Sequence, residues 1–533
     1  MKHMRGASLH IHAREAPMQQ SRAGGAASGS GCRVRTRARL AGGGLRHGRS
    51  VAERRCVGKW FGGRSNLSCQ RQFINSLMVS QLTNVKCLCN RIARRSTAMA
   101  DNVVYLHGKP REIAQVTRVG FRDHGLCEQL FSANKLISRS FVLEAATEGT
   151  RRHRSLVRSL KDRGAEIILD TNCAELSVVG RFSTSAKSAP WAVEGRALDA
   201  DDFMPGTNRS VLEPIARYAV KNELTAVMSP SHFLGENTQS WLQIDVRSCE
   251  ALRNALDTYG GKHIPIDYPI IATYSQFRDP NFRKSIRDQI RGLPIDRIWL
   301  RISGFGANAT GVGISRFIEG SIDFHALGKP ICVDLVGGIA ALAVPALGGV
   351  SGFASGLEGK ERFDASDWLK STSGGGGGSS KRIFVTGLDR FLTTIEMREF
   401  FDKTRTSRQL FGCSDPTCCG DVDKMLRNPE AHLAVQMGRL VRNLSDTPET
   451  LRAEQFLENH LLARVKMAGR ANKIRNMDDD LRRKIGSSAK RLELAYDALS
   501  GLHDRMENIE FPTEAKFRSG SRQSELNFQE RSS

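Results

Sequence analysis

From about residue 140 to about residue 404, short apolar runs alternate with longer amphipathic stretches, and this rhythm restricts what the chain can fold into. The runs begin near Ser140 (SFVLEA), Glu166 (EIILDT), Thr225 (TAVMSP), Pro269 (PIIATY), Arg297 (RIWLRI), Pro330 (PICVDL), Gly349 (GVSGFA) and Arg382 (RIFVTG). Helical segments are expected at 151–163, 209–222, 246–259, 281–291, 312–319, 338–347 and 394–404. Strands that are apolar along their whole length are buried on both faces, as in a parallel sheet covered by helices. Eight such units predict an α/β fold, a closed (β/α)₈ TIM barrel; a doubly wound open sheet is the alternative. The expected organisation is a basic segment over 1–98, a barrel over 99–405, a Cys/His-containing helical module over 406–464, and a helical tail over 465–533. Two interruptions stand out: an excursion at 178–208 over the barrel mouth, and a linker at 371–380 holding five consecutive glycines, Gly374 to Gly378.

The formal charge is +23, but it is unevenly placed. Residues 1–100 hold 19 Lys/Arg and 2 Asp/Glu, so the rest of the chain is only mildly basic. That first segment has no helical or strand periodicity before about Ile74. It reads as a disordered basic arm or a mis-assigned start, with Met78 and Met99 as alternative starts; a nucleic-acid-binding arm or a transit peptide is the functional alternative. No apolar run reaches the roughly 18 residues of a membrane span. The cysteines are too scattered for a disulfide framework, so a reducing cytoplasm is expected.

In a barrel of this kind the chemistry sits at the C-terminal ends of the strands. Asp170 and Asp334 each end an otherwise apolar run, where an unpaired charge is costly. With Glu144 and Glu358 they are the candidate acids, bases or nucleophiles. Asn172, Ser229, His232, Gln276 and Arg301 are the candidate substrate-orienting groups. For the two aspartates, a salt bridge to Arg301 or a cap on the next helix is an equally weighted alternative.

Beyond the barrel, Cys413, Cys418 and Cys419 lie in a turn and are followed by His432 and His460. Three thiolates and an imidazole would make a structural zinc site of the Cys₃His type, with either histidine as the fourth ligand. A last helix, about 478–509, carries Leu481, Ile485, Leu492, Ala495, Leu499, Leu502, Met506 and Ile509 as a one-sided stripe. Such a stripe suits packing on its own barrel or pairing with a second copy in a homodimer.

The arrangement resembles the tRNA-guanine transglycosylase family. Residues 164–176 (GAEIILDTNCAEL) are similar to that family's second-strand segment. Lys329 and Pro330, then Val336, Gly337 and Gly338, then Leu347 through Val350, resemble its Lys-Pro strand, glycine turn, helix and Gly-Val strand. The family also carries a Cys₃His zinc site after its barrel, and its histidine segment resembles 458–461 (ENHL), which implies His460 as the ligand. The resemblance runs from about 140 to 464 and implies action on a nucleobase in tRNA. It departs at two functional positions. The family's Asp-Ser-Gly-Gly-Phe motif falls on 229–233 (SPSHF), and its nucleophilic Asp falls on Ala354.

Two functions follow as expectations. One is a transglycosylase-like enzyme exchanging a base or nucleoside in tRNA or another nucleic acid, with Asp170 and Asp334 as the reacting carboxyls. The other is a non-catalytic binding protein on a degenerate barrel, holding nucleic acid or a protein partner. A metal-dependent hydrolase is disfavoured, because no strand end carries His-x-His or His-x-x-x-His. Carboxylates gathered around one open pocket would favour the enzyme; carboxylates locked into salt bridges would not.

Overall fold

The computed structural model describes residues 111–179, 185–235, 238–357, 361–368, 381–475 and 477–507. The basic segment 1–98, the glycine run 374–378 and Glu358 lie outside the described residues. The expected TIM barrel is present: eight strands close in sequence order, β1 to β8, all parallel. They are β1 (Ala114–Arg118), β2 (Ser140–Glu144), β3 (Glu166–Asp170), β4 (Ala226–Met228), β5 (Ile266–Thr273), β6 (Arg297–Ser303), β7 (Ile331–Asp334) and β8 (Gly352–Ser355). The helices between them are α1 (His124–Ser132), α2 (Arg154–Asp162), α3 (Leu212–Lys221), α4 (Thr238–Thr258), α5 (Pro280–Ile290), α6 (Gly311–Ile322) and α7 (Gly338–Ala346).

Two strands differ from the sequence expectation. The run at Arg382 is not the eighth barrel strand. It is β9 (Arg382–Val385), which pairs antiparallel with β10 (Arg390–Thr393) in a separate hairpin. The barrel instead begins earlier, with β1, whose sequence AQVTR holds too few apolar residues to stand out. Its Val116 and Arg118 face the barrel interior, so the strand alternates where its neighbours are continuously apolar.

The barrel interior has three levels. At the bottom, the Arg297 guanidinium grips Asp267 at 2.5 and 2.7 Å and Glu166 at 2.6 Å. Burial pushes the Asp267 carboxyl up to about 6 against the pull of Arg297, which leaves it charged at neutral pH. The middle level is apolar: Val116, Val142, Ile168, Ala226, Met228, Trp299, Cys332 and Ala354. The top level is charged again and forms the candidate site. Residues alternating with these, such as Leu143, Ile167, Leu169, Val227, Leu300 and Val333, face the surrounding helices in the main core.

After β10 come α8 (Thr394–Lys403), α9 (Arg405–Phe411), α10 (Val422–Arg427), α11 (Pro429–Ser445), α12 (Glu449–Gln455), α13 (Leu462–Asn472) and α14 (Asp479–Met506). The α11 helix takes the place of an eighth barrel helix. Its Leu433, Ala434 and Met437 share a small cavity with Gln115 and Thr117 of β1 and Ser355 of β8. The apolar stripe of α14 is buried within the same chain, with the helix packed on α6 and α13. Contact with α6 is close enough that a Cβ on Gly311 would sit 2.4 Å from the Ala495 Cα. The hairpin turn also reaches the barrel: Asp389 Oδ1 accepts from the Ile339 backbone N–H at 2.8 Å and so caps α7, while Arg491 of α14 holds Asp389 Oδ2 at 2.7 Å. Among the described residues no helix is long and apolar enough to cross a membrane.

Closure between β1 and β8 is tight. A Cβ on Gly352 would lie 2.4 Å from the Ala114 carbonyl oxygen. Gly352→Val is therefore expected to lower stability by about 2 kcal/mol or more through overpacking at the seam, read from the urea midpoint. An unchanged midpoint would argue against β1 as the closing strand.

Candidate functional site

The top level of the barrel brings together Asp170 of β3, Arg301 of β6 and Asp334 of β7, as their positions at strand ends suggest. A fourth member, Arg118 at the end of β1, joins them; it was missed because its strand was not recognised. Arg118 donates to Asp334 through Nε (2.7 Å) and Nη2 (2.9 Å), and to Asp170 through Nη2 (2.7 Å). Arg301 donates to Asp334 through Nε (2.8 Å) and to Asp170 through Nη2 (2.7 Å). Two guanidiniums and two carboxylates thus close a neutral four-membered ion network. Met228 Sδ lies beneath both arginines, at 4.0 and 3.7 Å. Glu144 stands at the rim, 3.9 Å from Arg118 Nη1.

This network is sealed. Arg118, Asp170, Arg301 and Asp334 are only 2%, 5%, 6% and 2% exposed. Above them lies an apolar plug of Ala174, Ile271, Phe363 and Ala365, with Phe233, Leu335 and Trp368 packed against it. The strap 361–368 that supplies Phe363 and Ala365 is tied to the end of β6. The Gly304 N–H donates to the Phe363 carbonyl at 3.0 Å, and the Ala365 N–H donates to Ser303 Oγ at 2.9 Å.

Electrostatics point the same way. Burial alone would raise the Asp170 and Asp334 carboxyls, but Arg301 and Arg118 outweigh it and hold both below the usual carboxylate range. Arg118 is raised, because Asp334 and Asp170 overcome its own burial. Neither aspartate is a proton donor at neutral pH: both Asp334 oxygens and Asp170 Oδ2 are committed to guanidinium, and Asp170 Oδ1 accepts from the Asn172 N–H. Glu361 is the contrasting group. Burial, with Asp389 nearby, pushes it up to about 8, so it is neutral at pH 7. It faces a cavity of about 20 Å³ that has room for a single water.

The other sequence candidates are engaged in structure. Asn172, in the left-handed region with φ 55°, accepts from the Ala146 N–H at 3.3 Å and donates its own N–H to Asp170 Oδ1. Ser229 is buried and donates its N–H to the Asp267 carbonyl at 2.7 Å. His232 is 1% exposed, stacks on Trp241 and pairs its Nδ1 with Asp245 at 2.5 Å. Gln276 completes a capping box with Thr273 and donates to the Gly235 carbonyl at 2.7 Å. In the expected excursion, Trp191 Nε1 donates to the Thr171 carbonyl just past β3.

The cysteine turn does form a metal-type cluster, with a correction to its histidine. Ligand atoms of Cys413, Cys418, Cys419 and His432 all lie within 4.8 Å of one another. His460 is elsewhere, buried in the helical turn Phe456–Leu461 and stacked on Phe456. The reason is local. His432 sits in the first turn of α11, which begins just after the cysteine turn. The Asp415 carbonyl accepts the N–H groups of Cys418, Cys419 and Gly420, and Gly420 takes φ 80°. That knuckle turns two adjacent thiols to one point: their Sγ atoms are 3.6 Å apart, and each lies 3.4 or 3.3 Å from His432 Nδ1. Tetrahedral ligands about 2.0–2.3 Å from an ion are roughly 3.3–3.8 Å from one another, so Cys418, Cys419 and His432 have the spacing of three metal ligands, with Cys413 within 4.8 Å of each as the candidate fourth.

No known protein family matches the sequence, and no curated protein is significantly similar to it. Solved structures align with about half of the chain at low similarity. KGPDC from Streptococcus mutans aligns with 48% of this chain and 93% of its own, at 9% identity and TM-score 0.28. Type I 3-dehydroquinate dehydratase from Clostridium difficile aligns over 49% and 91%, at 6% identity and TM-score 0.30. An enolase protein from a Sargasso Sea environmental genome aligns over 47% and 56%, at 11% identity and TM-score 0.26. Likeness at this level carries no argument, and the fold rests on the strand pairing itself.

Two predictions follow from the geometry. Because Asp170 and Asp334 are depressed, their contribution to stability is complete above the unfolded carboxylate range near about 4 and is lost as pH falls through the lower folded values. Asp334→Asn leaves two buried guanidiniums short of a partner and is expected to cost about 3–5 kcal/mol at pH 7. Urea unfolding at pH 7 and pH 3 should show the variant weaker at pH 7 and less acid-sensitive than the parent; equal curves would contradict the network. Metal content separates the two histidines: Cys413→Ser and His432→Ala should lose the bound ion, and His460→Ala should keep it.

Proposed function

We propose that this protein is a divergent relative of the tRNA-guanine transglycosylases that binds nucleic acid and does not exchange bases. The observation that carries the non-catalytic part of this reading is the sealed ion network; nucleic acid as the partner follows from the resemblance. The two aspartates best placed to act as acid, base or nucleophile are each held by two arginines beneath an apolar plug. A nucleophile must be free to reach a sugar carbon, and a general acid must hold a proton near working pH. Neither condition is met here, and Ala354, at the position of the family's nucleophile, lies in the apolar middle level.

A Cys₃His set following the barrel is in keeping with the relationship in kind, although its histidine is His432 and not the His460 that the resemblance implies. The resemblance implies zinc, and three thiolates with one imidazole suit zinc better than harder ions such as magnesium or calcium. Cys413, Cys418, Cys419 and His432 would hold it in a closed, four-ligand structural site. In that role the ion ties the cysteine turn to α11 and supplies no chemistry to a substrate. The described cysteines are all unpaired thiols, which suits a reducing compartment such as the cytoplasm.

The test is direct. The full chain is incubated with unfractionated tRNA and radiolabelled guanine, and label in acid-precipitated RNA is counted. The expected result is incorporation no greater than in the protein-free control, from a preparation that carries about one zinc per chain by elemental analysis. Label that accumulates in proportion to protein would overturn the non-catalytic reading.

A further inference from the structure

Two loops at the barrel mouth, 120–123 after β1 and 149–153 before α2, pack on each other. His153 is fully buried between them, with its Nε2 3.3 Å from the Gly120 carbonyl and its ring 4.9 Å from that of His124. This internal packing turns the remaining side chains outward. Arg122, Arg151, Arg152 and Arg154 are all exposed. Phe121 is 48% exposed, an unusual setting for so large an apolar ring, and the Arg152 guanidinium lies 4.6 Å over it.

The acidic groups of the same loops face the other way. Asp123 is buried and accepts from the Gly120 N–H, Glu144 reaches in to Arg118, and Glu148 is buried against the Tyr218 hydroxyl. The nearest acid on α1, Glu128, accepts from Ser155 Oγ. Some exposed cations elsewhere on the barrel pair with carboxylates, Arg217 with Glu213 and Lys284 with Asp288, and others such as Arg247 and Arg291 have no such partner among the described residues; what sets this patch apart is four arginines gathered around an exposed ring. Among the described residues these four arginines have no such partner. A solvated helix face would carry mixed signs; this one carries one sign and an aromatic ring.

We propose that this patch is the docking surface for a single-stranded stretch of nucleic acid. The guanidiniums would neutralise successive phosphates and the Phe121 ring would stack on a base, the pairing that single-strand-binding surfaces use. The inference rests on the nucleic-acid-binding reading above and adds where on the protein the strand lies. It also separates the barrel from the basic segment 1–98, which could bind anions through charge alone.

Fluorescence anisotropy with the full chain and a labelled single strand of about 20 nucleotides, as RNA and as DNA, tests it. The variant carrying Arg122→Gln, Arg151→Gln, Arg152→Gln and Arg154→Gln should bind about tenfold or more weakly at physiological salt. Its slope of log affinity against log salt should be shallower by about 3, from roughly 0.7 per lost phosphate contact. Phe121→Ala should weaken binding about fivefold or more. All five positions are at the surface, so thermal melting should be unchanged. Photo-crosslinking with a 4-thiouridine-substituted RNA should mark the peptides containing Phe121 and residues 151–154. If affinity and salt slope are unchanged and crosslinks fall only within residues 1–100, the docking surface is wrong while nucleic-acid binding stands. If neither RNA nor DNA binds, both readings fall and a protein partner takes their place.

Discussion

The two guanidinium forks clasping two carboxylates at the top of the barrel hold the rest of the structure in register. A barrel of this class is ordinarily filled by layers of branched apolar side chains. Here charged levels lie above and below an apolar middle. The top level balances two positive against two negative groups and gives each carboxylate more than one donor, the condition under which buried charge is tolerated. It draws β1, β3, β6 and β7 to a common centre. Arg118 in particular ties in a strand that has little apolar surface of its own. The same interaction fixes the chemistry, because oxygens engaged by arginine are unavailable to a substrate.

Much of the fold could be read from the sequence because seven barrel strands carry an apolar run in their middle, flanked in several of them by the charges of the top and bottom levels. Strands β2 to β8 all lie at the expected runs. The exception, β1, alternates, and its inward Arg118 makes sense only once the partners Asp170 and Asp334 are known. The run at Arg382 misled for the converse reason: an apolar tetrapeptide reads the same in a barrel and in a hairpin. At the site, Asp170 and Asp334 were identifiable as charges ending apolar runs, and Arg301 as a strand-end group that would either orient a substrate or pair with them. Whether such charges react or neutralise one another depends on a residue far away in sequence, so spacing alone could not decide it. The fourth metal ligand was obscured in another way. His432 and His460 are both buried, and only the helix that starts at Pro429 brings one of them to the thiols.

The C-terminal region is part of the barrel's own construction. Helix α11 covers the seam between β8 and β1, the Cys/His cluster fixes the start of that helix, and the hairpin residue Asp389 caps α7. The Arg452 side chain donates to the Leu444 carbonyl and to the Arg111 carbonyl just before β1, and the Ile113 N–H donates to Ser445 Oγ. The Cys/His cluster, helix placement and barrel closure are thereby mechanically connected.

That connection governs how the chain must be assembled. Contacts joining Arg111 and Ile113 to Ser445 and Arg452 span more than three hundred residues. Such high contact order makes closure a late event, since long loops must be ordered before the joining contacts form. During synthesis the strands emerge in sequence, yet the outer faces of β1 and β8 stay uncovered until Pro429 and the residues after it have left the ribosome. The cysteine turn is made immediately before that helix, so an ion captured there would order its first turn as it emerges. The metal cluster thus stands at the point in the nascent chain where an open, sticky sheet edge becomes a closed ring.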